Sequence, residues 1–157
     1  MADRDTKLNY KIEETEDYLP LKYFYYANDL EIDLEDEELP PIVKNWRVVR
    51  SDGELIGGIT LGFREGEYII DGIAVDRRYR KEKLGQELLD TAIAEIKRRG
   101  GNVLYLVARA PKFFAKRGFD AIRRDESPEF FECYTCPQYN KVCFPEVMRL
   151  RIDEKMF

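Results

Sequence analysis

Residues 68–119 constrain this chain more than any other stretch. Tyr68–Val75 is apolar and reads as a strand, and Asp76–Gly85 is a turn rich in cations. Leu84, Leu88, Leu89, Ala92, Ile93 and Ile96 then recur at three- and four-residue spacing, the inner face of a helix over Leu84–Arg99. Gly100-Gly101 ends that helix. Val103–Ala108 is a continuous apolar run, the pattern of a strand covered on both faces. Strand, helix and strand in this order imply a right-handed crossover with the two strands parallel. The turn between them gathers cationic side chains and the free N–H groups of a helix start, which together make a site for an anion.

The charge distribution points to the same place. Residues 1–76 carry 8 Lys and Arg against 19 Asp and Glu, residues 77–124 carry 14 against 5, and residues 125–157 carry 4 against 7. A cationic block thus sits in the middle of a protein whose net charge is −5. A salt-bridged surface would account for it. The coincidence with the turn favours an anionic ligand, most simply a phosphorylated cofactor. Nucleic acid is not expected as a partner, because the chain is acidic as a whole and its basic residues form no long stripe.

There is no histidine in the 157 residues. Ser-His-Asp and Cys-His nucleophiles are excluded, and so are His-based zinc motifs. Proton transfer falls to carboxylates, Tyr, Lys, Cys, water or the substrate. The length fits one domain over 1–157. No apolar run is long enough to span a bilayer. Met1–Asp5 is polar, with no secretory leader, so a cytoplasmic protein with no membrane partner is expected.

The remaining segments frame the central stretch. Lys7–Glu13 alternates as a first strand. Asp17-Tyr18-Leu19-Pro20 opens a helix to about Asp29, with Leu21, Phe24, Tyr25 and Leu30 inward. Asp29–Glu38 holds seven acids and no base, read as a solvated loop or an acidic wall beside a cleft. Ile42–Asn45 reads as a short helical turn. Trp46–Arg50 and Leu55–Phe63 read as a hairpin about Ser51-Asp52-Gly53-Glu54. Gly57, Gly58 and Gly62 mark a bulge or a close backbone approach. Pro111–Arg117 is a short helix ended by Gly118, Phe119–Arg123 a strand, and Val147–Ile152 a last alternating strand that could pair across a homodimer.

The stretch Ile73-Ala74-Val75-Asp76-Arg77-Arg78-Tyr79-Arg80-Lys81-Glu82-Lys83-Leu84-Gly85-Gln86 resembles the acyl-CoA motif of the GNAT N-acetyltransferases. In that motif a strand ends Ala-Val-Asp, and Arg/Gln-x-x-Gly-x-Gly/Ala opens a helix. Phe113-Phe114-Ala115-Lys116-Arg117-Gly118-Phe119 is similar to the family's closing Phe-Tyr-x-Lys-x-Gly-Phe. The resemblance implies an α/β fold: a mixed, mostly antiparallel sheet with a splayed parallel strand pair and flanking helices. It also implies acetyl-CoA as cosubstrate and a small-molecule amine, amino-acid-like or polyamine-like, as acceptor.

The matching positions take on tasks in that light. Backbone N–H groups of Lys81, Glu82, Lys83, Leu84, Gly85 and Gln86 would hold the pyrophosphate, with Arg80, Lys81 and Lys83 adding charge. Main-chain groups of Ile73, Ala74 and Val75 would pair with the pantetheine arm. Phe113 and Phe114 would flank the arm or pack in the core, and Lys116 would stand near a phosphate. Two positions depart from the motif. Lys83 stands where the first Gly is expected, and Phe114 stands where many members carry a Tyr that protonates the leaving thiolate. These departures keep open a second reading, a non-catalytic acyl-CoA-binding sensor. A Phe-Phe pair here also resembles the N-acetylglutamate-synthase-like branch.

Asp71, inside an apolar strand and two residues before Ile73, is the candidate base, expected on the face of Ile73. A hydrogen-bonded structural carboxylate is its other reading. Cys133-x-x-Cys136 and Cys143 form an incomplete zinc set without histidine, open to three readings: a metal site, reduced thiols, or a Cys133–Cys136 redox pair.

Overall fold

The computed structural model describes residues 9–28, 42–80, 83–108, 111–123 and 146–152. Their strands are β1 (Tyr10–Thr15), β2 (Ile42–Arg50), β3 (Leu55–Arg64), β4 (Glu67–Val75), β5 (Val103–Ala108), β6 (Asp120–Ala121) and β7 (Glu146–Arg151). The helices are α1 (Tyr18–Ala27), α2 (Leu84–Arg98) and α3 (Pro111–Ala115). The strands form one sheet in the order β1-β2-β3-β4-β5-β7-β6, antiparallel throughout except for β4 beside β5.

Turn chemistry sets the first half. Gly53 (φ 90°) closes the β2–β3 hairpin, and Glu65 (φ 54°) with Gly66 (φ 77°) closes β3–β4, both in the left-handed region a tight hairpin needs. α2 then crosses one face of the sheet. Its apolar stripe is wholly covered, with Leu84, Leu88, Leu89 and Ile96 at 0% exposure. Each such side chain contributes about 1.5–3 kcal/mol through removal from water. Gly100 (φ 81°) ends the helix, and the N–H groups of Gly100 and Gly101 donate to the carbonyls of Lys97 and Ile96 at 3.0 and 2.9 Å. That pair satisfies the last helical acceptors.

α1 covers the opposite face, where Leu21 and Tyr25 pack on Ala74. The sheet makes room for them with glycine. A Cβ on Gly72 would lie 2.6 Å from the Tyr25 ring, and one on Gly58 would overlap Leu21. Of the glycines marked in the sequence, Gly57 and Gly58 are sites of close approach, and Gly72 is a further one that the sequence did not mark. Beneath them, Tyr25, Thr60 and Asn45 form a buried chain: a 2.8 Å hydrogen bond joins the Tyr25 and Thr60 hydroxyls, and Thr60 donates to Asn45 Oδ1 at 2.8 Å.

Three expectations are corrected. Ile42–Asn45 is no helical turn but the start of β2, since its backbone pairs with Gly62, Leu61 and Thr60 across the sheet. Sheet hydrogen bonding overrides local preference there. The strand expected over Phe119–Arg123 is two residues long, Asp120–Ala121. The last strand is not a free edge. β7 lies between β5 and β6, paired along its length with β5 and, at Met148 and Arg149, with β6.

Candidate active site

The parallel pair parts almost as soon as it forms. β3 accompanies β4 from Arg64↔Glu67 to Gly57↔Val75. On its other side β4 meets β5 only at Tyr68↔Leu104 and Ile69↔Tyr105, while β5 runs on beside β7 to Ala108↔Glu146. Beyond Ile69, β4 has no β5 partner, and a wedge opens between the strands. Ile73, Ala74 and Val75 lie along that opened edge. The Val75 carbonyl accepts a 3.0 Å hydrogen bond from Arg80 Nε, which ties the turn to the end of the strand.

The turn after β4 is braced from outside. Asp76 Oδ1 accepts from the Arg78 N–H at 2.9 Å and from Arg78 Nε at 3.1 Å. These bonds hold the Asp76 carboxyl below its usual pKa. Arg78 also donates to Glu54 of the β2–β3 hairpin at 2.7 Å. The guanidinium groups of Arg50 and Arg78 lie over the Tyr79 ring, 5.6 and 5.1 Å from its centre, and its hydroxyl accepts from Arg50 at 2.5 Å. Arg78 therefore braces the turn against the hairpin.

α2 opens without a side-chain cap. Lys83 holds the N-cap position at φ 61°, ψ 15°, the left-handed region. That is the conformation a glycine adopts without strain, so the sequence departure at Lys83 keeps the backbone shape at a steric cost. The first intrahelical bond runs from Glu87 N–H to Lys83 O, which leaves the N–H groups of Leu84, Gly85 and Gln86 ahead of it. Gly85 faces α3: a Cβ there would stand 3.3 Å from Phe113 Cζ. Lys81 and Glu82 lie outside the described residues.

α3 separates its two rings. Phe113 is 36% exposed, whereas Phe114 is 7% exposed in the main core, edge-on to Phe119 at 5.6 Å and to Phe113 at 5.0 Å. Phe113 borders the α2 start at Gly85. Lys116 is exposed.

Asp71 is placed differently from the expectation. β3 and β4 slip register here, with Thr60 opposite Gly72 and Leu61 opposite Ile70, so Asp71 is the extra residue of a bulge. The bulge reverses the alternation. Ile73 packs with the α2-side core, while the charge of Asp71 acts on Tyr18 and Tyr25 of α1. Burial, and then Asp71, push the half-buried Tyr18 hydroxyl above its usual pKa. Arg64 Nη1 meets Asp71 Oδ1 at 2.7 Å. Neither Arg64 nor Tyr18 stood out in the sequence, where one reads as a turn residue and the other as a helix start. The signal for both is spatial.

Among the described residues no group of three or more Cys, Asp or Glu is arranged to hold a metal. Cys133, Cys136, Cys143 and the acidic run 29–38 lie outside the described residues. A groove of about 670 Å³ along β1 and β2, lined by Lys11, Glu13, Arg47 and Arg50 among others, contains none of the candidate residues. No described helix is long and apolar enough to cross a membrane.

A wedge between parallel strands, beside an uncapped helix start, is the arrangement the motif resemblance implies. A family model for the acetyltransferase (GNAT) family matches residues 7–119. The chain belongs to the GNAT family. As a GNAT protein it is an acyltransferase with acetyl-CoA as cosubstrate. Solved structures share the GNAT fold. A GNAT-family acetyltransferase of Staphylococcus aureus Mu50 is 20% identical with a TM-score of 0.71, over 92% of this chain and 99% of that one. The N-acetylglutamate synthase of Neisseria gonorrhoeae, complexed with coenzyme A and N-acetyl-glutamate, is 18% identical with a TM-score of 0.73, over 94% of this chain and 36% of that one. A GNAT acetyltransferase of Elizabethkingia anophelis with acetyl-CoA bound is 20% identical with a TM-score of 0.67, over 93% of this chain and 100% of that one. No curated protein matches the chain.

Proposed function

We propose that the GNAT chain transfers the acetyl group of acetyl-CoA to the primary amine of a small molecule, by direct attack within a ternary complex in the cytoplasm. The observation that carries this reading is the parting of β4 from β5 after Ile69, with the α2 start at the far end of the wedge. Main-chain groups of Ile73 and Ala74 on the opened edge would receive the pantetheine arm as an added strand. The N–H groups of Leu84, Gly85 and Gln86, with Lys83 beside them, would receive the pyrophosphate.

Asp71 would meet the acceptor ammonium and take one proton from it. The neutral nitrogen attacks the thioester carbon, the C–N bond forms, and the C–S bond breaks with its electron pair leaving on sulfur. The nitrogen then loses its second proton, and the thiolate gains one. Phe114, buried and without a hydroxyl, supplies none, so water is the donor to sulfur.

Phe114 also favours a second reading, an acyl-CoA-binding sensor without turnover. Calorimetric titration with acetyl-CoA, followed by thiol release with a panel of amines, tests both. Saturable binding with thiol release supports the transferase. Binding without release across the panel supports the sensor, and no binding overturns both.

A further inference from the structure

The ion pair of Arg64 and Asp71 has more burial than a surface pair. Its side chains are 22% and 11% exposed, and their atoms meet at 2.7 Å. Desolvating two charges is costly, and apolar residues of similar size often serve stability as well or better. The position of the pair is more telling. Asp71 is the bulged residue of β4, two positions past Ile69, the last residue of β4 that pairs with β5. The two opposite charges therefore sit at the root of the wedge. They lie on the α1 face, toward half-buried Tyr18.

We infer that Arg64 and Asp71 read the acceptor, and that the acceptor is an α-amino acid whose carboxylate meets Arg64 and whose ammonium meets Asp71. This rests on the proposed transfer to an amine at the wedge. An α-amino acid carries its two charges on one carbon, opposite in sign and close together, as the protein's pair does. The guanidinium suits the carboxylate as a planar donor. The alternatives fit less well. A simple amine would have to compete with Arg64 for Asp71 and would return nothing to Arg64. A polyamine would bring several positive charges to a pair whose own charges cancel. A site built around both charges should reject an analogue lacking one of them.

The test uses the intact chain with acetyl-CoA, thiol release as readout, and α-amino acids matched to the amines that lack only the carboxylate. The expected result is a kcat/KM about 100-fold higher for amino acids than for the matched amines. R64L should remove most of that preference, with the loss for the amino acids falling chiefly on KM. R64K should recover part of it, since it keeps the charge but not the fork. Thermal melts and acetyl-CoA titration of each variant separate misfolding from lost recognition, and the wild-type panel stands whatever the variants do. Matched amines turned over as well as amino acids would overturn the inference while leaving the transferase reading intact. Equal loss of both classes in a folded, acetyl-CoA-binding R64L would overturn it too. Failure of the wild-type chain to bind acetyl-CoA would instead remove the proposed function, and this inference with it.

Discussion

Gly85 and Phe113 face each other across the gap between α2 and α3: a methyl group on Gly85 would stand 3.3 Å from the ring's Cζ. The contact joins the helix start proposed to hold phosphate to the exposed ring proposed to border the pantetheine arm. A side chain here presses on a ring that is 36% exposed and can swing outward, so the fold should tolerate it. The ligand should not. We expect G85V to melt within about 2 °C of wild type, because surface-type changes cost little. Its acetyl-CoA affinity should fall about tenfold or more by calorimetry, a loss of about 1.4 kcal/mol.

Lys83 offers the opposite change. Its backbone lies at φ 61°, where a non-glycine side chain is strained. K83G should relieve that strain, against the extra freedom glycine gains in the unfolded chain. The expected outcome is a melting temperature unchanged or raised by a few degrees, about 0–1 kcal/mol. If the Lys83 charge assists the pyrophosphate, acetyl-CoA binding by K83G should weaken and lose part of its dependence on salt. Titration at two ionic strengths checks this.

Glu95 predicts an acid limb for stability. It is buried on α2, where Arg98, Arg99 (2.6 Å) and Lys44 (3.5 Å) surround its carboxylate. Bonds to Arg98 and Arg99 and the charge of Lys44 lower its pKa from 4.5 to about 2. The folded form thus binds this proton less readily than the unfolded one. The stabilisation is complete above the unfolded value near 4.5 and is lost as pH falls toward 2. E95Q should unfold at lower urea concentration at pH 7, by about 1–2 kcal/mol. It should also show a flatter fall in stability between those two pH values. Equal pH slopes for the two proteins would sink the assignment.

Gly72 tests the close approach of α1. A Cβ would fall 2.6 Å from the ring of Tyr25, which is 0% exposed and anchored through Thr60 and Asn45. Neither partner can move aside cheaply. G72A should cost about 1–3 kcal/mol, the range for overpacking a filled core. Chemical denaturation reads this directly, and an undiminished midpoint would contradict the packing described.

The sequence made the periodic parts of the fold legible. Six apolar positions placed the buried stripe of α2 within one residue of its ends, and Gly100 marked its stop because only a left-handed residue satisfies those carbonyls. Val103–Ala108 read directly as β5 because it is covered on both faces. The sheet face of Asp71 did not read correctly, because a bulge shifts the side-chain alternation by one without leaving a mark in composition. Arg64 was hidden for a related reason: its partner lies seven residues on, across a hairpin, and only the turned strands bring them together. Phe113 and Phe114 are adjacent and chemically identical, so which ring points inward is decided by the orientation of α3 against the sheet.

The order of strands carries a consequence for assembly. β6 precedes β7 in the chain, yet in the sheet β7 stands between β6 and β5. A segment made earlier must stay unattached until a later one has docked, and one wall of the wedge has its outer support only then. Contacts this distant in sequence slow the search for the native state. The half of the molecule carrying β1 to β4 can thus consolidate first, leaving the binding crevice among the last features to take shape.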